Sequence, residues 1–355
     1  MKFTLKAPRQ LKTRFLLSIC IPTYNRSAYL KRTIDSIVSQ ASFQNGSLVE
    51  IVVSDNNSQD STLDICQHFS QLYPKSFVYH RQDTQVQPDI NFKDVLNLAS
   101  GSFLRLNNDT LIHNEYSLEF ILSILSIYSL APRKKITPYF SNDLISNIQS
   151  SVLCVSMNDF LILTSGISTY IGAFGVWRED FHRLQNTGPE LAWKSCLGHV
   201  DCLFRMLELG RPFVIYNKKI AYIDKPVNHG GYDVGKVFVD EYLRLCRRSF
   251  LRGHINSKVF FREIRRSILF ASSWFNNQLL YPDLYNFQFD LLSHRIRAAC
   301  LGRPHLLLLF FFHQRFDFLQ KFIRKFAKSR IQFLFLQFNF PKVLPKKIAS
   351  PTNLV

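Results

Sequence analysis

Apolar residues in the first hundred positions follow two rhythms. Residues 16–21 and 49–53 are short, unbroken apolar runs. The first stops at Pro22, and the second ends on Asp55. Between them, apolar residues stand at 30, 34, 37 and 38, the 3.6-residue period of a helix. The chain therefore opens strand–helix–strand, which gives parallel strands joined by a right-handed crossover. Its polar tips then share the carboxyl ends of the strands, the ligand crevice of an open α/β sheet. The pattern continues with a helix over 61–72, capped near Ser58 or Asp60, and a strand over 76–80. A helix over 89–99 carries Ile90, Val95, Leu96 and Ala99 on one face. Gly101 stops it, and a strand over 102–106 runs into Asn107-Asn108-Asp109-Thr110.

Further along, 116–130 reads as an apolar helix, and 131–150 as loop or irregular strand containing two prolines. Residues 152–155 suit an edge strand. Residues 172–177 suit a strand whose glycines admit a close neighbour. A helix is expected over 198–209 and a strand over 213–216. From about Val237 glycine thins out and Phe and Arg become common. Helices are expected there over 242–251, 258–280, 284–301 and 305–326. The division read from this pattern is a basic leader (1–15), an α/β domain (16–235), a basic aromatic-rich helical region (236–340) and a tail (341–355).

Charge sharpens that division. The formal net charge is +18, and from Tyr242 onward 20 Lys or Arg face only four acids. Residues 1–16 add five bases and no acid, so the middle of the chain is slightly acidic. A basic terminal region rich in Phe points to an anionic partner, and a membrane surface fits better than nucleic acid. Nucleic acid is disfavoured because no nucleic-acid-binding motif stands out. The seven cysteines contain no Cys-x-x-Cys pair, which reads as reduced thiols rather than a disulfide frame. Cys196, His199 and Cys202 are three apart, a helix spacing rather than a zinc pattern. The apolar run after the leader is only about seven residues, and none reaches the ~18–20 of a spanning helix.

Residues 18–26, Ser-Ile-Cys-Ile-Pro-Thr-Tyr-Asn-Arg, and 54–62, Ser-Asp-Asn-Asn-Ser-Gln-Asp-Ser-Thr, resemble the start of the family 2 inverting glycosyltransferases. The resemblance covers roughly 16–235 and is closest over the first hundred residues. It implies the GT-A fold: a mixed, mainly parallel sheet flanked by helices, here followed by a helical region. It also implies a nucleotide-sugar donor, and a saccharide or lipid-linked acceptor of the kind used in capsule, O-antigen or lipopolysaccharide synthesis. The place of action implied is the cytoplasm, peripheral on the inner face of the membrane.

Sugar transfer needs a grip on the nucleoside, neutralisation of the departing diphosphate, and a base for the acceptor hydroxyl. Asp55, at a strand end, suits the first, since a carboxylate accepts from uracil N3–H or a ribose hydroxyl. The same carboxylate also suits a turn-forming Asx motif. Pro22, Thr23, Tyr24 and Arg26 form the loop beside it, with Tyr24 offering a stacking face. Asn91 falls where relatives often place an asparagine near the nucleotide, and a helix-surface role explains it equally.

For the second task relatives hold Mn2+ or Mg2+ on an Asp-x-Asp or Asp-Asp pair, hard oxygen ligands that let the ion bridge two phosphates. Here only Asp109 keeps a carboxylate. Asn108 offers an amide oxygen, so metal should bind more weakly. Arg105, Lys225 and Lys236 are bases available to share the neutralisation. For the third task the resemblance points to the start of the helix at 198, with Asp201 as base and His199 as second choice. Asp201 and Arg205 are also spaced for an ordinary helix ion pair. Trp177 and the strand 172–175 would floor the acceptor site. His229, in a Gly-rich loop, is a candidate for the diphosphate.

Two rivals remain at this level. The thinned acidic motif at 107–109 suits a binding or scaffold protein that kept the fold and lost the chemistry. A nucleotidyltransferase would show a glycine-rich phosphate loop after the first strand, and Pro22-Thr23-Tyr24-Asn25-Arg26 has no glycine.

Overall fold

The computed structural model describes residues 15–44, 47–129, 136–146, 148, 150–186, 191–224 and 229–300, with a few positions between 308 and 319. The opening unit is β1 (Leu17–Thr23), α1 (Ser27–Val38), a turn of helix α2 (Ala41–Gln44) and β2 (Val49–Asp55). Next come α3 (Thr62–Leu72), β3 (Phe77–Arg81), α4 (Pro88–Leu98), β4 (Phe103–Leu106), β5 (Leu111–His113) and α5 (Ser117–Ser129). Then follow β6 (Thr137–Phe140), β7 (Ser151–Cys154), α6 (Met157–Thr164), β8 (Gly175–Trp177), α7 (Arg178–Asn186), α8 (Gly198–Glu208), β9 (Phe213–Tyr216) and β10 (Ala221–Ile223). The described chain closes with β11 (His229–Asp233), a wide π-helical stretch over Gly235–Glu241, α9 (Tyr242–Leu251), α10 (Ser257–Leu280), β12 (Tyr285–Gln288) and α11 (Leu292–Ala299).

The main sheet has the order β3-β2-β1-β4-β8, parallel except for β8. Its two-residue alternation separates the core into two layers. Leu17, Ile19 and Ile21 of β1 and Val49, Ile51 and Val53 of β2 face α1, α3 and α5. Cys20 and Val52 face the opposite layer with Val95 and Leu96 of α4. The α1 residues expected on one face, Leu30, Ile34, Ile37 and Val38, are all buried. Each large side chain removed from water contributes about 1.5–3 kcal/mol. Buried Glu50 closes the neck of the sheet: it accepts from Ser18 Oγ at 2.6 Å and from Gly101 N at 2.9 Å.

Several boundaries differ from those expected. β1 runs through Pro22 to Thr23, because pairing with β4 stops at Cys20 and Pro22 has no ladder partner on that side. β6 lies inside the stretch expected as loop or irregular strand, and β9 pairs it on one side and β7 on the other, leaving β7 an edge as expected. The helix expected over 284–301 begins only at Leu292, since Tyr285–Gln288 pairs as a strand with β11. α6 and α7 were not expected: α6 is short and apolar, and its capping box at Ser156 and Asp159 was the available signal. The larger apolar cluster runs continuously from Cys20 to Cys300, drawing on α4, α8, α9, α10 and α11.

All seven cysteines are unpaired, and six are buried. No described helix is long and apolar enough to cross a membrane. The basic leader through residue 14, Lys225 and nearly all of the basic tail lie outside the described residues.

Candidate active site

β1 has β2 on one side and β4 on the other, so connections leave in opposite directions from its carboxyl end. That topological switch point opens the crevice. Three segments meet there: Thr23 to Arg26 after β1, Asp55 to Ser58 after β2, and Asn107 to Asp109 after β4. Thr23 pairs with Asp55 in register, and its carbonyl accepts from Asn56 N at 2.9 Å. Across the switch, Thr23 Oγ1 donates to Asp109 Oδ2 at 2.9 Å and Arg26 Nη1 meets Asp109 Oδ1 at 3.2 Å. Thr33 of α1 donates to the Asp109 carbonyl at 2.8 Å, fixing the segment from below.

The first two loops are clasped together. Asn25, in the left-handed region at φ 50°, accepts from Gln59 N at 2.7 Å, while its own N–H reaches Ser58 Oγ at 2.9 Å. Asp55 is buried and accepts from Ser58 N and Tyr79 Oη, each at 2.9 Å. Two oxygens with two donors leave lone pairs over for a ligand. Tyr24 keeps its ring 39% exposed at the mouth of the crevice. Asn91 is neither a surface residue nor turned outward: it accepts from Ser54 Oγ at 2.6 Å and donates to the Ser54 carbonyl at 3.0 Å, tying α4 to β2.

Asp109 is 4% exposed, and burial raises its carboxyl above the usual value against the pull of Arg26 and Thr23. Asn108 Oδ1 is buried with no hydrogen-bond partner among the described residues. An orphaned amide oxygen beside a carboxylate suits a hard divalent cation that takes its other ligands from phosphate and water. The donor set thus fits such an ion, although a single carboxylate shared with Arg26 supplies little charge. Among the described residues no group of three or more His, Cys, Asp or Glu is placed to hold a metal. Behind this segment the fully buried Arg105 donates to Asn107 Oδ1 at 3.2 Å and to the Gly172 carbonyl at 2.6 Å. It braces the turn from inside, and burial lowers its guanidinium to about 10.

The helix α8 holds both candidates for the base. His199 is 1% exposed, with Nε2 3.1 Å from the Thr169 carbonyl and its ring among Phe92 and Phe174. Nε2–H therefore donates, and Nδ1 is an acceptor without a partner among the described residues. Burial pulls this histidine down to about 4, so it is neutral at neutral pH. The expectation that Asp201 takes the acceptor's proton is revised. Its Oδ2 accepts from Ala192 N and Arg205 Nη2, both at 3.0 Å, and its Oδ1 from Arg205 Nε and Arg248 Nη1. It lines a separate cavity that contains none of the residues around Asp55 and Asp109. Asp55 and Asp109 both flank Thr23, whereas Asp201 is a buried ion-pair centre.

Trp177 is likewise not an acceptor floor. It is 1% exposed, lies edge-on to Phe103 at 5.1 Å and donates to the Ile136 carbonyl. Gly175 is glycine for the same packing, since a Cβ there would stand 2.5 Å from the Phe103 ring. His229 begins β11, in register with Tyr285. The residue missed from sequence is Asp89, 1% exposed, whose Oδ2 accepts from Gly198 N at 3.2 Å at the start of α8. Burial raises its carboxyl to about 7, opposed by the N–H groups of Gly198, Cys196, Ser195 and Leu197. Pro88 and Asp89 signal a helix start, but nothing local reveals a partner 109 positions away.

The sheet order and the switch-point crevice are those of a GT-A glycosyltransferase fold. A mannosyltransferase from Pyrobaculum calidifontis, PcManGT, solved with GDP-Man and Mn2+, has this fold at a TM-score of 0.50 over 90% of this chain and 89% of its own, with 13% identity. Residues 18–125 match the model of glycosyl transferase family 2. The abequosyltransferase RfbV of Salmonella typhimurium is 38% identical over 88 residues, 25% of this chain and 26% of that one. The GalNAc(5)-diNAcBac-PP-undecaprenol beta-1,3-glucosyltransferase of Campylobacter jejuni is 33% identical over 93 residues, 26% and 29% of the two chains. The matched segment thus spans little more than a quarter of these relatives' lengths.

Proposed function

We propose that this protein is an inverting glycosyltransferase of surface polysaccharide synthesis, moving a sugar from a nucleotide-diphosphate donor to a hydroxyl of a saccharide or lipid-linked acceptor. The observation that carries this reading is the meeting of Asp55 and Asp109 on either side of Thr23 at the switch point. Asp55 holds the base or ribose, and Tyr24 covers the base. The acceptor oxygen attacks the anomeric carbon, the bond from that carbon to the diphosphate oxygen breaks, and the nucleoside diphosphate leaves with the electron pair. Of the two α8 candidates for the acceptor's proton only His199 keeps an unfilled acceptor, Nδ1, and a substrate carried to it would have to offset the burial that holds the ring neutral. Arg26 lies beside the departing diphosphate. Asp109 and Asn108 would hold a divalent cation, which supplies positive charge to that leaving group when bound. Action at the inner face of the membrane, through the basic tail, belongs to the same reading and rests on its charge.

Turnover of a panel of nucleotide sugars, assayed with Mn2+, tests this. Asp109→Ala and His199→Gln are each expected to lower kcat/KM by on the order of 100-fold or more. Unchanged turnover in both variants would overturn the mechanism. The second reading, a fold that binds donors without transferring them, draws on the single carboxylate at 107–109. It predicts nucleotide binding by the unaltered protein with no product formed.

A further inference from the structure

Asp109 gives the crevice one carboxylate beside the turn at 107–109, and both of its oxygens are already engaged. Oδ2 accepts from Thr23 Oγ1 at 2.9 Å, and Oδ1 from Arg26 Nη1 at 3.2 Å. The neighbouring asparagines add no charge. Asn107 is turned inward: it is fully buried, and its Oδ1 accepts from Arg105 Nη1 at 3.2 Å and lies 2.9 Å from His113 Nε2. Asn108 Oδ1 is left without a partner among the described residues. A divalent ion on Asp109 would therefore share its carboxylate with a guanidinium a few ångströms away. In a half-buried crevice two such cations repel far more than they would in bulk water.

Arg26 is placed for exchange with a ligand. It is the N-cap residue of α1, and its carbonyl accepts from Leu30 N at 2.9 Å, which fixes its backbone beside the crevice. Its side chain is 36% exposed. A guanidinium carries five N–H donors, and among the described residues only Nη1 of Arg26 is engaged. The planar fork matches two phosphate oxygens, so one side chain bridges Asp109 and a diphosphate. Arg105, whose acceptors are the neutral Asn107 Oδ1 and the Gly172 carbonyl, adds a second guanidinium behind the turn. The arginine-lined cavity at Asp201, between α7, α8 and α9, is different. There Arg205 and Arg248 are only 13% and 19% exposed, and Arg248 spans Asp201 and Glu208. Those pairs join helices to one another, whereas the Arg26 pair stands half open at the crevice.

We propose that Arg26 takes the place of a divalent cation at Asp109: it binds the donor's diphosphate and competes with metal for the same carboxylate, so that a nucleoside diphosphate binds with no metal present. The proposal rests on the donor reading of this crevice. It adds that the chain supplies the cation there, and that Arg26 and a bound ion are alternatives at Asp109.

Two titrations test it. In the first, Mn2+ alone is titrated into the full chain and the free ion is read by electron paramagnetic resonance. Loss of one competing charge-assisted bond predicts that Arg26→Ala binds Mn2+ roughly tenfold more tightly than the parent, and that Arg26→Ala/Asp109→Asn loses the gain. In the second, UDP and GDP are titrated by calorimetry, once with a chelator and once with Mn2+. The parent is expected to bind one of them in chelator, with Mn2+ changing its affinity less than about threefold. Arg26→Ala is expected to bind that nucleotide roughly tenfold more weakly in chelator and to recover with Mn2+. Arg26→Gln, which keeps a donor to Asp109 without the charge, repeats both comparisons if the melting temperature shows that alanine loosens the loop. Equal Mn2+ affinity in the parent and the variants, or a parent that binds nucleotide only with Mn2+, would overturn the proposal. A parent that binds neither nucleotide under either condition would overturn the donor reading and the proposal with it. The Mn2+ titration needs no nucleotide and tells the two failures apart.

Discussion

The switch-point crevice and the arginine-lined cavity are built in opposite ways. In the crevice, three strand ends supply short polar segments whose backbones are already fixed by the sheet, and the side chains have little left to decide. Asp55 has only two neutral donors there, and Asp109 has one hydroxyl and a single guanidinium, Arg26, whose side chain is 36% exposed. In the cavity, three helices bring long side chains together, and the acids are saturated by guanidinium groups. A buried carboxylate with two arginines stabilises a packing arrangement, whereas a buried carboxylate with hydroxyl and amide donors stays available for ligand chemistry. That contrast moves Asp201 from chemistry to architecture.

The contrast breaks most visibly at Asp201. Asp201→Ala strips the counter-charge from Arg205 and Arg248 in a largely buried place, and removing one partner of such a pair costs about 3–5 kcal/mol. Denaturant unfolding should show that loss, and a shift below about 1 kcal/mol would mean the cluster is not structural. Asp109→Ala should do the reverse. Its expected effect is the loss of turnover given above, on the order of 100-fold, with a small change in melting temperature because Arg26 is 36% exposed and rehydrates. Tyr24→Ala removes an exposed aromatic face worth about 0.5–1.5 kcal/mol, so donor affinity should fall roughly two- to tenfold with kcat nearly unchanged.

The smallest expected effect is on pH dependence. Burial lowers His199 to about 4 and His113 to about 3, so the unfolded chain, whose histidines titrate near 6.5, takes up protons first. Their contribution is present above about pH 6.5 and is lost as pH falls through that window. Burial raises Asp89 to about 7, so here the folded chain binds the extra proton, and stability is lost as pH rises from about 4 towards 7 and above. In Asp89→Asn the loss of melting temperature that Asp89 causes between about pH 4 and 7 should disappear, leaving the histidine-driven loss on acidification. An unchanged profile between about pH 4 and 7 would place the slope elsewhere.

What could be read in advance follows from range. β1, α1 and β2 were legible because apolar periodicity and strand ends are local, and Asp55 and Asp109 were found as strand-end polar residues. Asp201 was misread because its spacing to Arg205 showed in sequence, while Arg248, 47 positions on, did not. Asp89 was missed for the same reason, its partners being backbone N–H groups of a distant helix start. The β12 strand was read as helix because an aromatic, weakly polar run fits both periods until its partner β11 decides.

The most direct test is calorimetric binding of a nucleotide-sugar panel to the parent, Asp55→Ala and a Lys31→Ala control on the exposed face of α1. The account predicts one preferred donor, bound at least tenfold more weakly by Asp55→Ala and equally by the control. Equal affinity in Asp55→Ala for that donor would contradict it.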